Sequence, residues 1–189
     1  MRVITGRFKG RTLKTVKDLS VRPATDRVKQ TIFDMLVTRV DLDGATVLDL
    51  FAGSGGLGIE ALSRGAERVV FVENGSGAVD FIEQNVRMLG CEDQTEIHET
   101  DALMYVARAR GSYDVVFADP PYTFTRLPEL PAIIFSAGLV KRDGYCVVEH
   151  PTSLHFDSTG QYLAGPEKKF GRTLVTFFQH PSQTQEATP

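Results

Sequence analysis

A glycine-rich segment from Asp49 to Gly58 constrains the fold of this chain more than any other stretch. It reads Asp-Leu-Phe-Ala-Gly-Ser-Gly-Gly-Leu-Gly, and it overlaps the end of a short apolar run at 46–50 that has the composition of a buried strand. Glycines at these spacings permit a tight turn and a close approach of the backbone to a ligand, and a helix after such a loop offers free N–H groups to an anion. The segment therefore predicts a strand, a ligand-binding loop and a helix in succession.

The same alternation of strand-like and helix-like segments continues along the chain, which has 189 residues and suits one α/β domain with a small appendage. Repeated units of this kind predict a parallel sheet covered by helices. Further strands are predicted at 68–72, 95–99, 113–118 and 145–149, and near 167–170 and 174–179. Helices are predicted at 57–63, 78–89, 102–110 and 130–137, and an earlier one is predicted to begin near Thr25, with Thr25 as its N-cap.

Four carboxylates follow or end successive predicted strands: Asp49, Glu73, Asp101 and Asp119. The carboxyl ends of parallel strands meet at one edge of a sheet, which is where such folds bind their ligands. We therefore expect the four side chains to belong to one site.

The loop at 53–58 matches the pattern GxGxxG, which nicotinamide dinucleotides and S-adenosylmethionine both use. Glu73, twenty positions after Gly53, can hold ribose hydroxyls in either case. Asp49 suits the α-ammonium of S-adenosylmethionine and would repel a pyrophosphate, and Asp101 suits an adenine amine, so the sequence favours S-adenosylmethionine. The predicted cofactor-binding residues are Asp49, Phe51, Ala52, Gly53, Gly55, Gly58, Glu73, Asn74, Asp101 and Ala102.

The segment Asp119-Pro-Pro-Tyr122, directly after the strand predicted at 113–118, has the groups needed to clamp a planar amine. The exocyclic amine of a nucleobase is a poor nucleophile because its lone pair is delocalised into the ring. Asp119 and the Pro120 carbonyl can accept its N–H groups, and Tyr122 can stack on the base. We predict Asp119, Pro120 and Tyr122 as catalytic residues acting on a base that has left its helical stack.

Charge is distributed unevenly along the chain. The net charge is −3, yet residues 1–29 carry nine basic and two acidic side chains (+7), and the remainder carries −10. A basic arm on an acidic body is typical of polyanion binding, although a solvated surface segment would have the same composition. The predicted polyanion-binding residues are Arg7, Lys9, Arg11, Arg22 and Arg27.

Several other features bear on class and location. No apolar run is long enough to span a membrane, and the N-terminus lacks the apolar core of a signal peptide, so a cytoplasmic protein is expected. The histidines and the two cysteines have no ligand spacing, and we predict no metal site.

Several motifs in order resemble the bacterial 16S ribosomal RNA guanine-N2 methyltransferases of the RsmD type. They are the opening run 2–13, the Arg-Pro-Ala-Thr-Asp-Arg-Val-Lys segment at 22–29, the glycine loop and helix at 49–66, the clamp, and the Gly-Arg-Thr at 171–173. Ala24, Gln30 and Gly56 depart from the family pattern, where threonine, glutamate and alanine are usual, and Asn74 stands where an acidic or varied residue is usual.

The resemblance implies a doubly wound, seven-stranded, mostly parallel methyltransferase fold with an N-terminal β-hairpin extension. We place the basic extension at 1–22 and the methyltransferase domain at 23–181, and we predict a disordered tail at 182–189 because these residues are polar. It also implies methyl transfer from S-adenosylmethionine to N2 of a guanine in 16S rRNA, of the guanine-966 type, with the rRNA of the small subunit or of an assembly intermediate as the partner. We expect the protein to be a monomer. Other interpretations stay open: an N6-adenine methyltransferase acting on DNA or RNA, an NAD-dependent oxidoreductase, or a non-catalytic RNA-binding factor.

Overall fold

The computed structural model describes residues 1–15 and 26–181. A seven-stranded sheet forms its centre, in the order β3-β2-β1-β4-β5-β7-β6. The first five strands pair in parallel, whereas β7 runs antiparallel between β5 and β6. The strands are β1 Thr46–Leu50, β2 Arg68–Glu73, β3 Thr95–Glu99, β4 Tyr113–Ala118, β5 Val140–Pro151, β6 Leu163–Phe170 and β7 Thr173–Gln179. The predicted α/β fold with a mostly parallel sheet is confirmed.

Helices cover both faces of the sheet, because successive strand residues point to opposite sides and both sides are apolar. Val47 and Phe117 face a core that includes the apolar residues of α1, α2 and α3, whereas Leu48 and Val116 face a second core under α4 and α5. The helices are α1 Asp26–Leu36, α2 Gly56–Ser63, α3 Ser76–Leu89, α4 Ala102–Arg108 and α5 Leu130–Ser136.

The strand order reverses between β1 and β4, and this reversal positions the site. From β1 the chain moves outward through β2 to β3, and it then returns to place β4 on the other side of β1. The loops that follow β1 and β4 therefore diverge and leave a crevice at the carboxyl ends of these two strands. The glycine loop follows β1 and the Asp119-Pro-Pro-Tyr122 clamp follows β4.

The N-terminal residues form a short hairpin that packs on the domain. Arg2 and Thr12 make an antiparallel bridge, and the Val3 amide donates to the Arg11 carbonyl at 2.9 Å. Val3 and Leu13 are buried in the core that faces α1 and α2. The predicted boundary between 22 and 23, the helix cap at Thr25 and the tail at 182–189 lie outside the described residues.

Several elements have different bounds from those predicted. β5 begins at Val140, five residues before the prediction, because Gly144 lets the run 141–144 continue the strand past an irregularity opposite β4. A Cβ at Gly144 would lie 2.7 Å from the Asp114 carbonyl oxygen. β6 likewise begins earlier, at Leu163, and α3 at Ser76. In the described part of the chain, no helix is both long and apolar enough to cross a membrane.

Candidate active site

The glycine loop turns sharply from β1 into α2. Phe51 lies in the left-handed region at φ 59°, as does Gly53 at φ 56°. A non-glycine residue with this φ is uncommon, and such strain concentrates at functional sites. Gly58 meets a different requirement, because a Cβ there would lie 2.3 Å from the Phe71 ring of β2. The residue must be glycine for α2 to pack closely on the sheet.

Asp49 lies beneath this loop. Its side chain is only 2% exposed, and Oδ2 accepts a hydrogen bond from the Gly58 amide at 2.8 Å. Burial raises the pKa of Asp49 to about 7, against the lowering effect of the Gly58 hydrogen bond and with a smaller contribution from Glu73. A cation bound next to this buried acid would favour its ionised form and lower its pKa.

Glu73, at the end of β2, ties the glycine loop to the neighbouring strand. Its Oε2 accepts from the Gly53 amide at 2.8 Å, and its Oε1 accepts from the amides of Asn74 and Gly75 at 3.0 and 2.9 Å. The Ala52 amide also reaches the Val72 carbonyl at 3.1 Å. Two sets of predicted cofactor residues, the loop and the end of β2, are thus brought together.

Asp101 and Ala102 stand at the next strand end. The Thr100 amide, directly after β3, donates to the Glu73 carbonyl at the end of β2 at 2.9 Å, and this hydrogen bond holds the two strand ends together. Oδ1 of Asp101 caps α4, accepting from the Leu103 and Met104 amides at 2.9 and 3.0 Å, while the residue as a whole remains exposed. Capping fixes the carboxylate at the edge of the crevice beside Glu73.

Asp119 and Tyr122 form the other side of the crevice. Burial, followed by the carboxylates of Glu149 and Asp49, raises the pKa of Asp119 well above its ordinary range. The Tyr122 ring is 66% exposed, yet its hydroxyl lies 3.0 Å from Thr173 Oγ1, so the ring is held and remains accessible. Pro120 between them is buried.

An aromatic contact joins the two loops. The rings of Phe51 and Phe124 meet edge to face, with centroids 5.0 Å apart. The strained residue of the glycine loop therefore packs on the loop that carries the clamp, and the two predicted half-sites form one crevice.

Glu149 was missed by the sequence analysis. It lies near the end of β5, whose residues Val147 and Val148 pair with Phe117 and Ala118 of β4, so it stands beside Asp119. Burial raises the pKa of Glu149 to about 7. The signal that would have found it is the one that identified the other carboxylates, an acid at the end of an apolar strand.

Four of the five predicted RNA-binding residues lie in the described chain, and all four are exposed or partly exposed: Arg7, Lys9, Arg11 and Arg27. Arg7 stacks over Phe8 at 4.5 Å and its guanidinium donates to Gln94. Arg22 lies outside the described residues. Arg7, Lys9 and Arg11 lie on the hairpin and Arg27 lies on α1, and Gln94, the partner of Arg7, precedes β3, at the amino ends of the strands rather than at the crevice.

The hairpin is joined to the glycine loop through one buried side chain. Nδ2 of Asn85, on α3, donates to the carbonyls of Lys14 and Ser54 at 2.9 and 3.1 Å. Oδ1 accepts from the Lys14 amide at 2.7 Å. Lys14 at the end of the hairpin and Ser54 in the glycine loop therefore bind the same side-chain amide.

Within the described residues, no group of three or more histidine, cysteine, aspartate or glutamate side chains could hold a metal ion. The polar groups of the crevice are instead carboxylates arranged around a glycine loop and an exposed aromatic ring. Together with the seven-stranded sheet, they define an α/β protein of the methyltransferase fold.

Solved structures share this architecture over nearly the whole chain. A structure described as "Putative methyltransferase yhhF from Escherichia coli" superposes with a TM-score of 0.86 at 28% identity, covering 97% of this chain and 99% of that one. A hypothetical protein from Thermus thermophilus gives a TM-score of 0.82 at 28% identity over 95% of this chain and 99% of its own.

Sequence comparison identifies the family. The model for "Conserved hypothetical protein 95" matches residues 1–179, and the chain belongs to this family. A Bacillus subtilis strain 168 relative named "Putative rRNA methyltransferase YlbH" is 38% identical over 95% of this chain and 98% of its own length. The Escherichia coli K12 protein named ribosomal RNA small subunit methyltransferase D is 32% identical over 97% of this chain and 91% of its own. The predicted family resemblance is confirmed.

Proposed function

We propose that the protein methylates the exocyclic N2 of a guanine in 16S rRNA, with S-adenosylmethionine as the methyl donor. One observation carries the proposal: the glycine loop after β1 and the Asp119-Pro-Pro-Tyr122 clamp after β4 open on the same crevice. Membership of a family with relatives named rRNA methyltransferases supports the choice of substrate.

The donor side of the crevice fits S-adenosylmethionine. Asp49 is a buried acid whose ionised form a cationic ammonium would favour, and Glu73 and Asp101 present carboxylates suited to ribose hydroxyls and an adenine amine. The remaining predicted contacts are Phe51, Ala52, Gly53, Gly55, Gly58, Asn74 and Ala102. When bound, S-adenosylmethionine supplies an electrophilic methyl group on sulfur.

The acceptor side orients and polarises the amine. Asp119 and the Pro120 carbonyl accept the two N2–H groups, which leaves the nitrogen lone pair directed toward the donor. Tyr122 stacks on the base, a contact worth about 1–3 kcal/mol. Alignment of the reacting atoms supplies up to roughly 7–11 kcal/mol of the barrier reduction in favourable systems.

A proton must leave N2 when the new N–C bond forms. The ionised form of Asp119 accepts an N2–H hydrogen bond in this arrangement, and in that form its raised pKa makes it a stronger base than an exposed aspartate. The carboxylate oxygen of Asp119 is therefore the atom that we assign to hold this proton.

Transfer of a labelled methyl group from S-adenosylmethionine to small-subunit rRNA tests the function, followed by digestion and identification of the methylated nucleoside. We expect N2-methylguanosine from the wild-type protein and none from Asp119→Ala, with S-adenosylmethionine affinity largely retained in the variant. Label in N6-methyladenosine would instead support an adenine methyltransferase. Wild-type turnover by Asp119→Ala would exclude the clamp mechanism.

The natural substrate form requires a second comparison. Naked 16S rRNA, assembled small subunits and assembly intermediates, each lacking the modification, are offered to the same enzyme. The form with the highest kcat/KM identifies the partner.

A further inference from the structure

Three carboxylates from adjacent strands share one face of the sheet. Asp49 lies on β1, Asp119 follows β4 and Glu149 lies on β5, and these strands are neighbours in the order β1-β4-β5. Alternation places all three on the side of Phe117 and Val147, the face covered by α1, α2 and α3.

Strand register sets Asp119 and Glu149 side by side. Ala118 pairs with Val148 in the parallel ladder between β4 and β5, so the next residue of each strand occupies the same level. Neighbouring strands are about 4.8 Å apart, which brings side chains on one face into contact range. Like charges in such positions repel one another, and the Glu149 carboxylate is the first charged group that raises the pKa of Asp119.

Glu149 also has an unsatisfied atom. Its Oε2 is buried, and no group in residues 1–15 or 26–181 forms a hydrogen bond with it. Asp49, by contrast, accepts from the Gly58 amide. A buried acceptor without a partner is costly and needs an explanation. Hydrogen-bond donors from a bound base would both satisfy this oxygen and reduce the repulsion between the two carboxylates.

The Watson–Crick edge of guanine presents such donors side by side. Its N2 amine is adjacent to N1–H, so a second acceptor is required next to the one that binds the amine. Adenine and cytosine carry a ring-nitrogen acceptor beside their amines, and an ionised carboxylate, which has only acceptors, would repel it.

We propose that Glu149 accepts the N1–H hydrogen bond of the target guanine and thereby selects guanine over other bases with an exocyclic amine. The assignment rests on the proposed function and adds the residue that reads the base. Asp119 and Pro120 hold the reacting amine, whereas Glu149 recognises the adjacent ring nitrogen.

2-Aminopurine provides the test, because it keeps the 2-amino group but presents N1 as an acceptor. Two synthetic RNAs carry guanine or 2-aminopurine at the mapped methylation position, and kcat/KM is measured on each. The wild-type protein should prefer guanine by roughly tenfold to hundredfold, the effect of one unsatisfied buried hydrogen bond.

Glu149→Gln should shift this ratio toward 2-aminopurine by about tenfold or more, since its amide N–H can donate to the N1 acceptor. Glu149→Ala should lower the rate on guanine and bring the two rates closer together. Asp143→Asn, an exposed acid-to-amide change on the same strand, is the matched control and should keep the wild-type ratio. S-adenosylmethionine affinity should be unchanged in all three variants.

Each remaining outcome is decisive. If the wild-type protein methylates guanine N2 but Glu149→Gln and Glu149→Ala keep its ratio, Glu149 does not read the base, although the proposed function stands. Equal wild-type rates on the two RNAs would also overturn the assignment, even if the variants failed to fold. A wild-type protein that transfers no methyl group to guanine would remove the proposed function itself.

Discussion

Lys29 and Glu60 form an ion pair in which both side chains are completely buried, with Nζ 3.4 Å from Oε2. Glu60, on α2, also accepts from the amides of Ile4 and Thr5 at 2.8 and 3.0 Å and from Arg64 at 3.0 Å. Burial lowers the pKa of Lys29, and the Glu60 carboxylate opposes that shift. One carboxylate thus joins the hairpin, α1 and α2.

Replacement of Glu60 by alanine should destabilise the protein by about 3–5 kcal/mol, because it leaves the buried ammonium of Lys29 without a counter-ion, with only the Arg2 carbonyl, 2.6 Å away, as acceptor. Urea denaturation followed by circular dichroism measures the change. Glu129→Gln removes an exposed partner of Arg126 and should cost less than about 1 kcal/mol. Equal effects of the two variants would contradict a central role for the buried pair.

Gly58→Ala should lower the free energy of unfolding by about 1–3 kcal/mol or more, because the new methyl group overlaps the Phe71 ring and forces α2 away from the sheet. Binding of S-adenosylmethionine should weaken with it, since the Gly58 amide also holds Asp49. Gly77→Ala on α3 meets no atom within 4 Å and should stabilise by about 0.5–1 kcal/mol. Thermal melts and calorimetric titration of both variants check the contrast.

The affinity for S-adenosylmethionine should rise with pH up to about 7. Below the raised pKa of Asp49, the carboxyl is protonated in the free protein, and binding of an ammonium must release that proton. Affinity should therefore fall by about tenfold for each pH unit below that pKa. Calorimetry in buffers of different ionisation enthalpy detects the released proton. Asp49→Asn should bind more weakly and lose the pH dependence; a pH-independent wild-type affinity would contradict the assignment.

The raised pKa of Asp49 also makes the free energy of unfolding depend on pH. A carboxyl whose pKa is higher in the folded state than in the unfolded chain stabilises the fold most below its ordinary pKa, about 4. This contribution is lost as the pH rises through about 7, and Asp49→Asn should stabilise the ligand-free protein at neutral and higher pH. The free energy of unfolding at two pH values, with and without the substitution, measures it.

Charge reversal of Arg7, Lys9 and Arg11 to glutamate should weaken RNA binding and reduce its dependence on salt concentration. Removing one phosphate contact lowers the slope of log affinity against log salt by nearly one unit. Reversal of Arg108, Arg110 and Arg126, which are exposed on and near α4 and α5, is the control. An identical slope in wild-type and hairpin variants would show that the hairpin makes no phosphate contact.

Much of the fold followed from local pattern. Short apolar strands such as 113–118 and amphipathic helices such as 78–89 alternate along the chain, and the structure places elements there with shifts of a few residues at the ends. The predicted β5 was too short because the Lys-Arg-Asp-Gly run at 141–144 has the composition of a turn. In the structure Gly144 allows this run to lie in close contact with β4.

The sequence predicted those residues of the site that follow the ends of predicted strands, but not those whose role depends on which strands are neighbours in the sheet. Acids at strand ends identified Asp49, Glu73, Asp101 and Asp119, because a parallel sheet gathers its carboxyl ends. Periodicity does not say that β5 lies beside β4, nor that alternation turns Glu149 toward Asp119, and these relations depend on the register of the folded sheet. Nor does the sequence reveal that Glu73 accepts three backbone amides of the loops around it.

The amide of Asn85 has a consequence for anyone who wishes to redirect such an enzyme to another RNA. Asn85 joins the backbone of Lys14 to that of Ser54, so the hairpin cannot be exchanged for another one without regard to α3. A transplanted hairpin must bring a matching α3 residue with it, or the glycine loop loses a support. Chimeras that exchange the hairpin but keep the original α3 should therefore bind S-adenosylmethionine more weakly, in addition to losing their original RNA target.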